Sequence, residues 1–138
     1  MTSTVALVVE ELSRIRQENY GAGISAPQIG ELLCIINFVY RGLEVTVLNP
    51  TIRSKKGAVW VEEGCLSVPG FVYRVRRPES LTLFGQDRHG VDLELKCTDS
   101  DAHVAEHEVD HLKGILIDAK GLFLGPKEER KGDKLAWS

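Results

Sequence analysis

The chain has 138 residues, 43% of them apolar, with 17 Lys plus Arg against 20 Asp plus Glu, a net charge of −3. That length suits one domain with a real core and argues against a conventional two-domain enzyme, while the charge argues against a nucleic-acid-coating surface. Met1 to Glu18 contains no basic leader and meets Glu10 and Glu11 early, so neither a signal peptide nor a membrane span is expected; three widely spaced cysteines (Cys34, Cys65, Cys97) point to a reducing compartment rather than a disulfide framework.

In chain order, Val5, Val8, Val9, Leu12 and Ile15 recur at three and four, which predicts a helix over 5–20 stopped by Gly21-Ala22-Gly23 and Pro27. The apolar run Leu32 to Tyr40 and its successor Leu43 to Leu48 read as adjacent strands, the second ending at Asn49-Pro50. A further strand pair is expected around the Lys55-Lys56-Gly57 turn. Short strands follow at Phe71 to Arg76, Leu81 to Phe84 and Val91 to Leu95, the last two joined by the hairpin turn Asp87-Arg88-His89-Gly90. Ser100 or Asp101 is placed to cap a second helix over about Ala102 to Lys113, with Gly114 as its stop and Ile115 to Ile117 extended beyond it. From Gly125 onward, charge, Pro126 and Gly132 suggest an irregular tail. The pattern is a single α+β domain over 1–138, with 126–138 as the tail.

The strongest local signal is His107-Glu108-Val109-Asp110-His111. Helix positions four apart share a face, so His107 and His111 can offer their imidazoles to one metal ion, with Glu108 in reach as general base. The competing reading is a solvated helix face that merely contains two histidines. A third ligand decides the enzyme class. Glu128 and Glu129 are the late carboxylates that a thermolysin-like peptidase would need, and they lie in the tail. A metzincin-like pattern is met by Gly114 but fails at Ile117, where a histidine is required.

Cys65 is the remaining soft ligand, set between Gly64 and a Pro-containing turn in Glu62-Glu63-Gly64-Cys65-Leu66-Ser67. A Cys, His, His set leaves one position open for water, the arrangement of a catalytic site. Cys34 and Cys97, within or near apolar strands, read instead as inert buried thiols. The segment Gly21-Ala22-Gly23-Ile24-Ser25-Ala26-Pro27-Gln28 is neither a P-loop nor a dinucleotide fingerprint. It reads either as backbone passing close to a ligand, with Gln28 as an amide donor, or as a plain helix stop and turn.

Together these segments resemble the signature of peptide deformylases, which carry a Gly-x-Gly-x-Ala-Ala-x-Gln loop, a Glu-Gly-Cys-Leu-Ser segment and a His-Glu-x-x-His helix in that order. Here they stand as GAGISAPQ at 21–28, EGCLS at 63–67 and HEVDH at 107–111. Asn49-Pro50, the Val75-x-Arg77-Pro78 stretch and the Asp87-x-x-Gly90 turn extend the likeness over most of residues 5–120. Ser25 replaces the usual Ala, a change expected to preserve the loop, and Glu106 replaces a common Gln, adding charge just outside the site. The customary N-terminal segment and long C-terminal helix have no counterpart, as in minimal deformylases of a size class also encoded by bacteriophages.

The resemblance implies strands packed around a central metal-binding helix and hydrolysis of the formyl group from N-formylmethionyl nascent peptides. It implies Cys65, His107 and His111 as ligands of Fe²⁺, with Zn²⁺, Ni²⁺ or Co²⁺ able to substitute. It implies Glu108 as proton carrier, and Gln28 with the Leu66 N–H facing the formyl oxygen. Extended substrate would pair beside Ala22, Gly23, Ile24 and Gly64, with His103 and Val104 lining the methionine pocket. A cytoplasmic monomer is expected, in a bacterium or a phage-infected host, in transient proximity to ribosomes and without nucleic-acid or membrane partners. Rival readings are a zincin-like metallopeptidase and a deformylase-like protein that binds peptides without turnover.

Overall fold

The computed structural model describes residues 3–65, 68–115 and 120–126; of Ser3, Cys65, Val68, Pro69, Phe123, Gly125 and Pro126 it describes the backbone alone. The first helix, α1 (Ser3–Glu18), buries the predicted stripe: Val8, Val9 and Leu12 pack against Ile24, Ala26 and Ile35. Leu7, off that stripe, is 67% exposed. After α1 the chain turns directly into β1 (Gly23–Ser25), and Pro27 sits early in a 3-10 turn (Ala26–Ile29), where its missing N–H costs nothing.

β1 is the edge of a five-stranded antiparallel sheet. It pairs with β2 (Ile35–Tyr40), which pairs with β3 (Leu43–Lys56). Arg16 ties α1 to this edge: its guanidinium donates to Asn37 Oδ1 at 2.6 Å, Glu44 Oε2 at 2.6 Å and the Gly21 carbonyl at 3.2 Å. Cys34 precedes β2 and is exposed, not buried in an apolar strand as expected, whereas Cys97 is buried.

Asn49-Pro50 does not end β3. The strand runs on to Lys56 through two register shifts, and Asn49 takes φ 52° while its N–H donates to the Cys34 carbonyl at 2.7 Å. A bulge absorbs a proline because an unpaired position needs no ladder donor. The Lys55-Lys56-Gly57 turn also differs from expectation, for the strands flanking it do not pair. β4 (Val59–Cys65) joins β5 (Val68–Arg77) in a second sheet, because the far edge of β3 is already taken by β6 (Ser80–Gln86).

β6 and β7 (Asp92–Thr98) form the predicted hairpin, with Asp87 Oδ1 accepting from the His89 and Val91 N–H groups. The second helix, α2 (Ser100–Leu112), starts slightly earlier than expected and has no side-chain cap at Asp99. Asp101 instead accepts from the Arg41 N–H. Gly114, at φ 77°, ends the helix: its N–H reaches the His111 carbonyl and that of Ile115 the Asp110 carbonyl. These are the two bonds of a Schellman stop. Beyond Ile115, the expected extended run falls outside the described residues.

β8 (Leu122–Pro126) then pairs with β5, so Gly125 and Pro126 are strand residues rather than the head of an irregular tail. Proline is tolerated there because β8 lies at the sheet edge. The tail from Lys127 lies outside the described residues. The strand orders are β1-β2-β3-β6-β7 and β4-β5-β8. The fold is α+β, as the pattern predicted.

α2 seals the larger core. Ala102, Val104, Ala105 and Val109 pack on Ile36, Phe38, Val47, Leu81 and Leu83 of the five-stranded sheet. The two faces of α1 make different demands on the same residue type. Leu12 is fully buried and Leu7 is not. L12A is expected to lower unfolding free energy by about 2–5 kcal/mol and L7A by less than ~0.5, measured by denaturant titration of both variants.

Candidate metal centre and active site

The segment from Glu106 to His111 is buried at every position, although only Val109 among its residues is apolar. Such burial requires partners, since an unpaired buried charge is strongly disfavoured. Strand β5 delivers the main one. Val75 and Arg77, two apart, share the inward face, and Arg77 is 1% exposed. Its guanidinium grips Glu63 through two bonds of 2.8 Å and also donates to Glu106 at 2.9 Å and Asp110 at 3.0 Å. Lys120 reaches Glu106 at 2.9 Å and Asp110 at 2.7 Å, and Lys55 reaches the other Glu106 oxygen at 3.0 Å. Three carboxylates thus meet three cations.

The ionisation of these groups follows. Burial pushes the Arg77 guanidinium down, but its bonds to Glu63 and Glu106 outweigh that and raise it. Burial pushes the Glu63 carboxyl up, and hydrogen bonds from Arg77 and His107 bring it below its ordinary value. Glu106 is likewise raised by burial but held at about 2 by Lys120, Arg77 and Lys55. The Glu106 charge expected to lie just outside the site is therefore buried and neutralised from several sides.

Inside this frame, ligand atoms of His107, Glu108 and His111 lie within 4.8 Å of one another. The rings of the two histidines meet edge to face, with centroids 4.6 Å apart. His107 Nδ1 is 2.9 Å from Glu63 Oε1. A carboxylate only accepts, so Nδ1 carries the hydrogen and Nε2 keeps its lone pair for a metal. The longer approach of Arg77 Nη2 to the same nitrogen, 3.4 Å, sets two donors against the one Glu63 oxygen and is secondary. Glu108 is 1% exposed, and among the described residues its Oε1 accepts no hydrogen bond, although His111 Nδ1 lies 3.2 Å away. Two imidazoles and a buried carboxylate fit a divalent cation with an associated water.

Of the residues expected on the substrate side, Ala22, Gly23, Ile24 and Gln28 lie in or beside β1. A Cβ on Gly23 would come within 2.8 Å of both Glu108 Oε2 and Val104 Cγ1, so only glycine lets this backbone approach the carboxylate so closely. Ala22 accepts from the Val39 N–H, and Ile24 pairs with Asn37. Gln28 lies in the 3-10 turn with its side-chain oxygen accepting from the Ser25 N–H at 2.9 Å. Gly64 is buried at the register shift of β4. Cys65 closes that strand, its backbone opposite Val68; its side chain, and Leu66 altogether, lie outside the described residues. His103 stands one helical turn before His107 on α2. Its Nε2 is buried with no hydrogen-bond partner among the described residues, and burial lowers its pKa.

A family model for polypeptide deformylase matches residues 1–120. The chain belongs to that family. It is 39% identical over 102 residues to a peptide deformylase of Thermodesulfovibrio yellowstonii, covering 70% of this chain and 62% of that one. A Dehalococcoides mccartyi peptide deformylase is 39% identical over 115 residues, covering 82% of this chain and 69% of the relative. Among solved structures, the Thermus thermophilus peptide deformylase superposes with a TM-score of 0.78 at 36% identity, covering 83% of this chain and 70% of that one. The chain thus spans about 60–70% of the length of the relatives it matches. Deformylases are metal-dependent hydrolases, in keeping with the His/Glu/His group.

Glu63, Arg77, Asp110 and Lys120 had no assigned role in the sequence reading. One signal was available for Arg77: a strand that places Val75 inward places Arg77 inward too, and a buried cation calls for carboxylates. Nothing local announces Lys120, which reaches the helix from beyond its C-terminal stop. R77M should lower stability by about 3–5 kcal/mol, since it leaves three carboxylates short of their shared cation. Chemical unfolding of the metal-free protein checks this, and a loss below ~1 kcal/mol would show that the lysines suffice.

Proposed function

We propose that the chain is a metal-dependent peptide deformylase that hydrolyses the formyl group of N-formylmethionyl nascent peptides, releasing formate and a free amino terminus. The observation that carries this reading is the buried His107, Glu108 and His111 group, whose ligand atoms lie within 4.8 Å of one another, with Glu108 close against Gly23 of β1. Cys65 completes the ligand set with His107 and His111. Fe²⁺ is the assigned ion, with Zn²⁺, Ni²⁺ or Co²⁺ as substitutes. When bound, the ion supplies Lewis acidity that brings water deprotonation into the neutral range.

The residues of the chain divide the remaining work. Glu108 takes the proton from the attacking water and returns it to the departing amine. Gln28 and the Leu66 N–H donate to the formyl oxygen as negative charge develops there, where one such donor is worth about 3–4 kcal/mol. Ala22, Gly23 and Ile24 offer the open edge of β1 to the extended peptide, with Gly64 of β4 as a further backbone partner. Val104, next to Gly23, and His103 border the side chain of the formylated methionine.

Among the described residues, no helix is long and apolar enough to cross a membrane. A cytoplasmic monomer acting close to the ribosome, without its own nucleic-acid contacts, suits the substrate. Replacing Glu108 by Gln should keep the metal and cut turnover at least ~100-fold, the scale of lost acid–base catalysis. Formate release from a formyl-Met peptide, paired with elemental analysis, measures both; near-parental turnover in E108Q would sink the proton-carrier role. C65A should remain folded and lose most of its metal, and full occupancy in that variant would remove Cys65 from the ligand set.

A further inference from the structure

Ser25 is fully buried at the end of β1. Its hydroxyl stands between two residues with separate duties, 3.0 Å from Gln28 Oε1 and 3.3 Å from His111 Nδ1. Counting protons sets the direction of both contacts. A side-chain carbonyl oxygen only accepts, so the single hydroxyl hydrogen goes to Gln28. The Ser25 oxygen then meets His111 as an acceptor, and Nδ1 must carry the ring hydrogen. That tautomer leaves the lone pair on Nε2 of His111, matching what Glu63 imposes on His107.

A second acceptor competes for the same N–H. Glu108 Oε1 lies 3.2 Å from His111 Nδ1, yet among the described residues this oxygen makes no hydrogen bond. Were the His111 N–H to turn toward it, that ring would swing from Ser25 and occupy one acceptor site of the Glu108 carboxylate. Alanine at position 25 could neither accept from His111 nor donate to Gln28.

We propose that Ser25 is a positioning residue that links the two halves of the site: its oxygen takes the His111 N–H, orienting that imidazole toward a divalent metal and keeping it off Glu108, while its hydrogen anchors the Gln28 amide. This rests on the metal-centre reading given above and adds to it a residue that binds neither metal nor substrate.

The test is S25A in the full chain loaded with Co²⁺, alongside the parent. Three quantities are read: the rate of Co²⁺ loss to excess chelator, the denaturant midpoint of the metal-free protein, and kcat and KM on a formyl-Met peptide. S25A should lose Co²⁺ about tenfold faster, the scale on which partners of metal-binding histidines act. Its kcat should fall about tenfold with KM within ~2-fold, and its metal-free midpoint should stay at the parental value. Equal rates of metal loss overturn the proposal. So does faster loss accompanied by a matching fall in metal-free stability, which would make Ser25 a packing residue. A parent that holds Co²⁺ but releases no formate defeats the deformylase assignment while leaving the chelator comparison to decide the role of Ser25. A parent that holds no Co²⁺ overturns both.

Discussion

The buried guanidinium of Arg77 is the constraint on which the rest of the structure depends. A helix that carries Glu106, His107, Glu108, Asp110 and His111 cannot be buried by apolar contact alone, because each ionised group would lose its hydration. Arg77 answers Glu106 and Asp110 on the helix and Glu63 on the neighbouring strand at once. The pairing locks α2 to the three-stranded sheet, while the apolar face of the same helix seals the five-stranded one. Break the charge balance and the two sheets no longer share a helix.

That balance also prepares the chemistry. Glu63 is anchored by Arg77 and so presents a fixed oxygen to His107, setting the tautomer of that ring. The ion network stays on the side of α2 that faces β4 and β5. The opposite side, where Glu108 meets Gly23, is left without cations among the described contacts. Glu108, the proposed proton carrier, is thereby kept apart from Glu106, which its cations hold at a pKa of about 2.

Glycine and serine shape the other wall. Gly23 lets β1 approach Glu108 closer than any Cβ would allow, and Arg16 holds the turn leading into that strand by binding the Gly21 carbonyl and Asn37. An edge strand fixed from behind and packed next to α2 suits the extended substrate proposed above.

Much of this was legible in the chain. The 3.6-residue period of Val8, Leu12 and Ile15 and the hairpin turn at Asp87 to Gly90 are local signals with local causes, and both elements formed where those signals lay. The His107-x-x-x-His111 spacing determined by itself that two imidazoles would share a helix face. Other features depended on distant partners. Asn49-Pro50 became a bulge instead of a stop because β6 continued to pair along β3, and the strands flanking Gly57 parted into different sheets because that edge was occupied. The role of Glu106 could not be inferred from its neighbours in sequence, since the cations that neutralise it come from β3, β5 and the segment beyond α2. The sequence alone determined which groups could do the chemistry, through residue type and helical or strand period. Only the tertiary structure decided which of those groups would be neutralised and which left unpartnered, because the energy of a buried charge is set by what the fold places within a few ångströms of it.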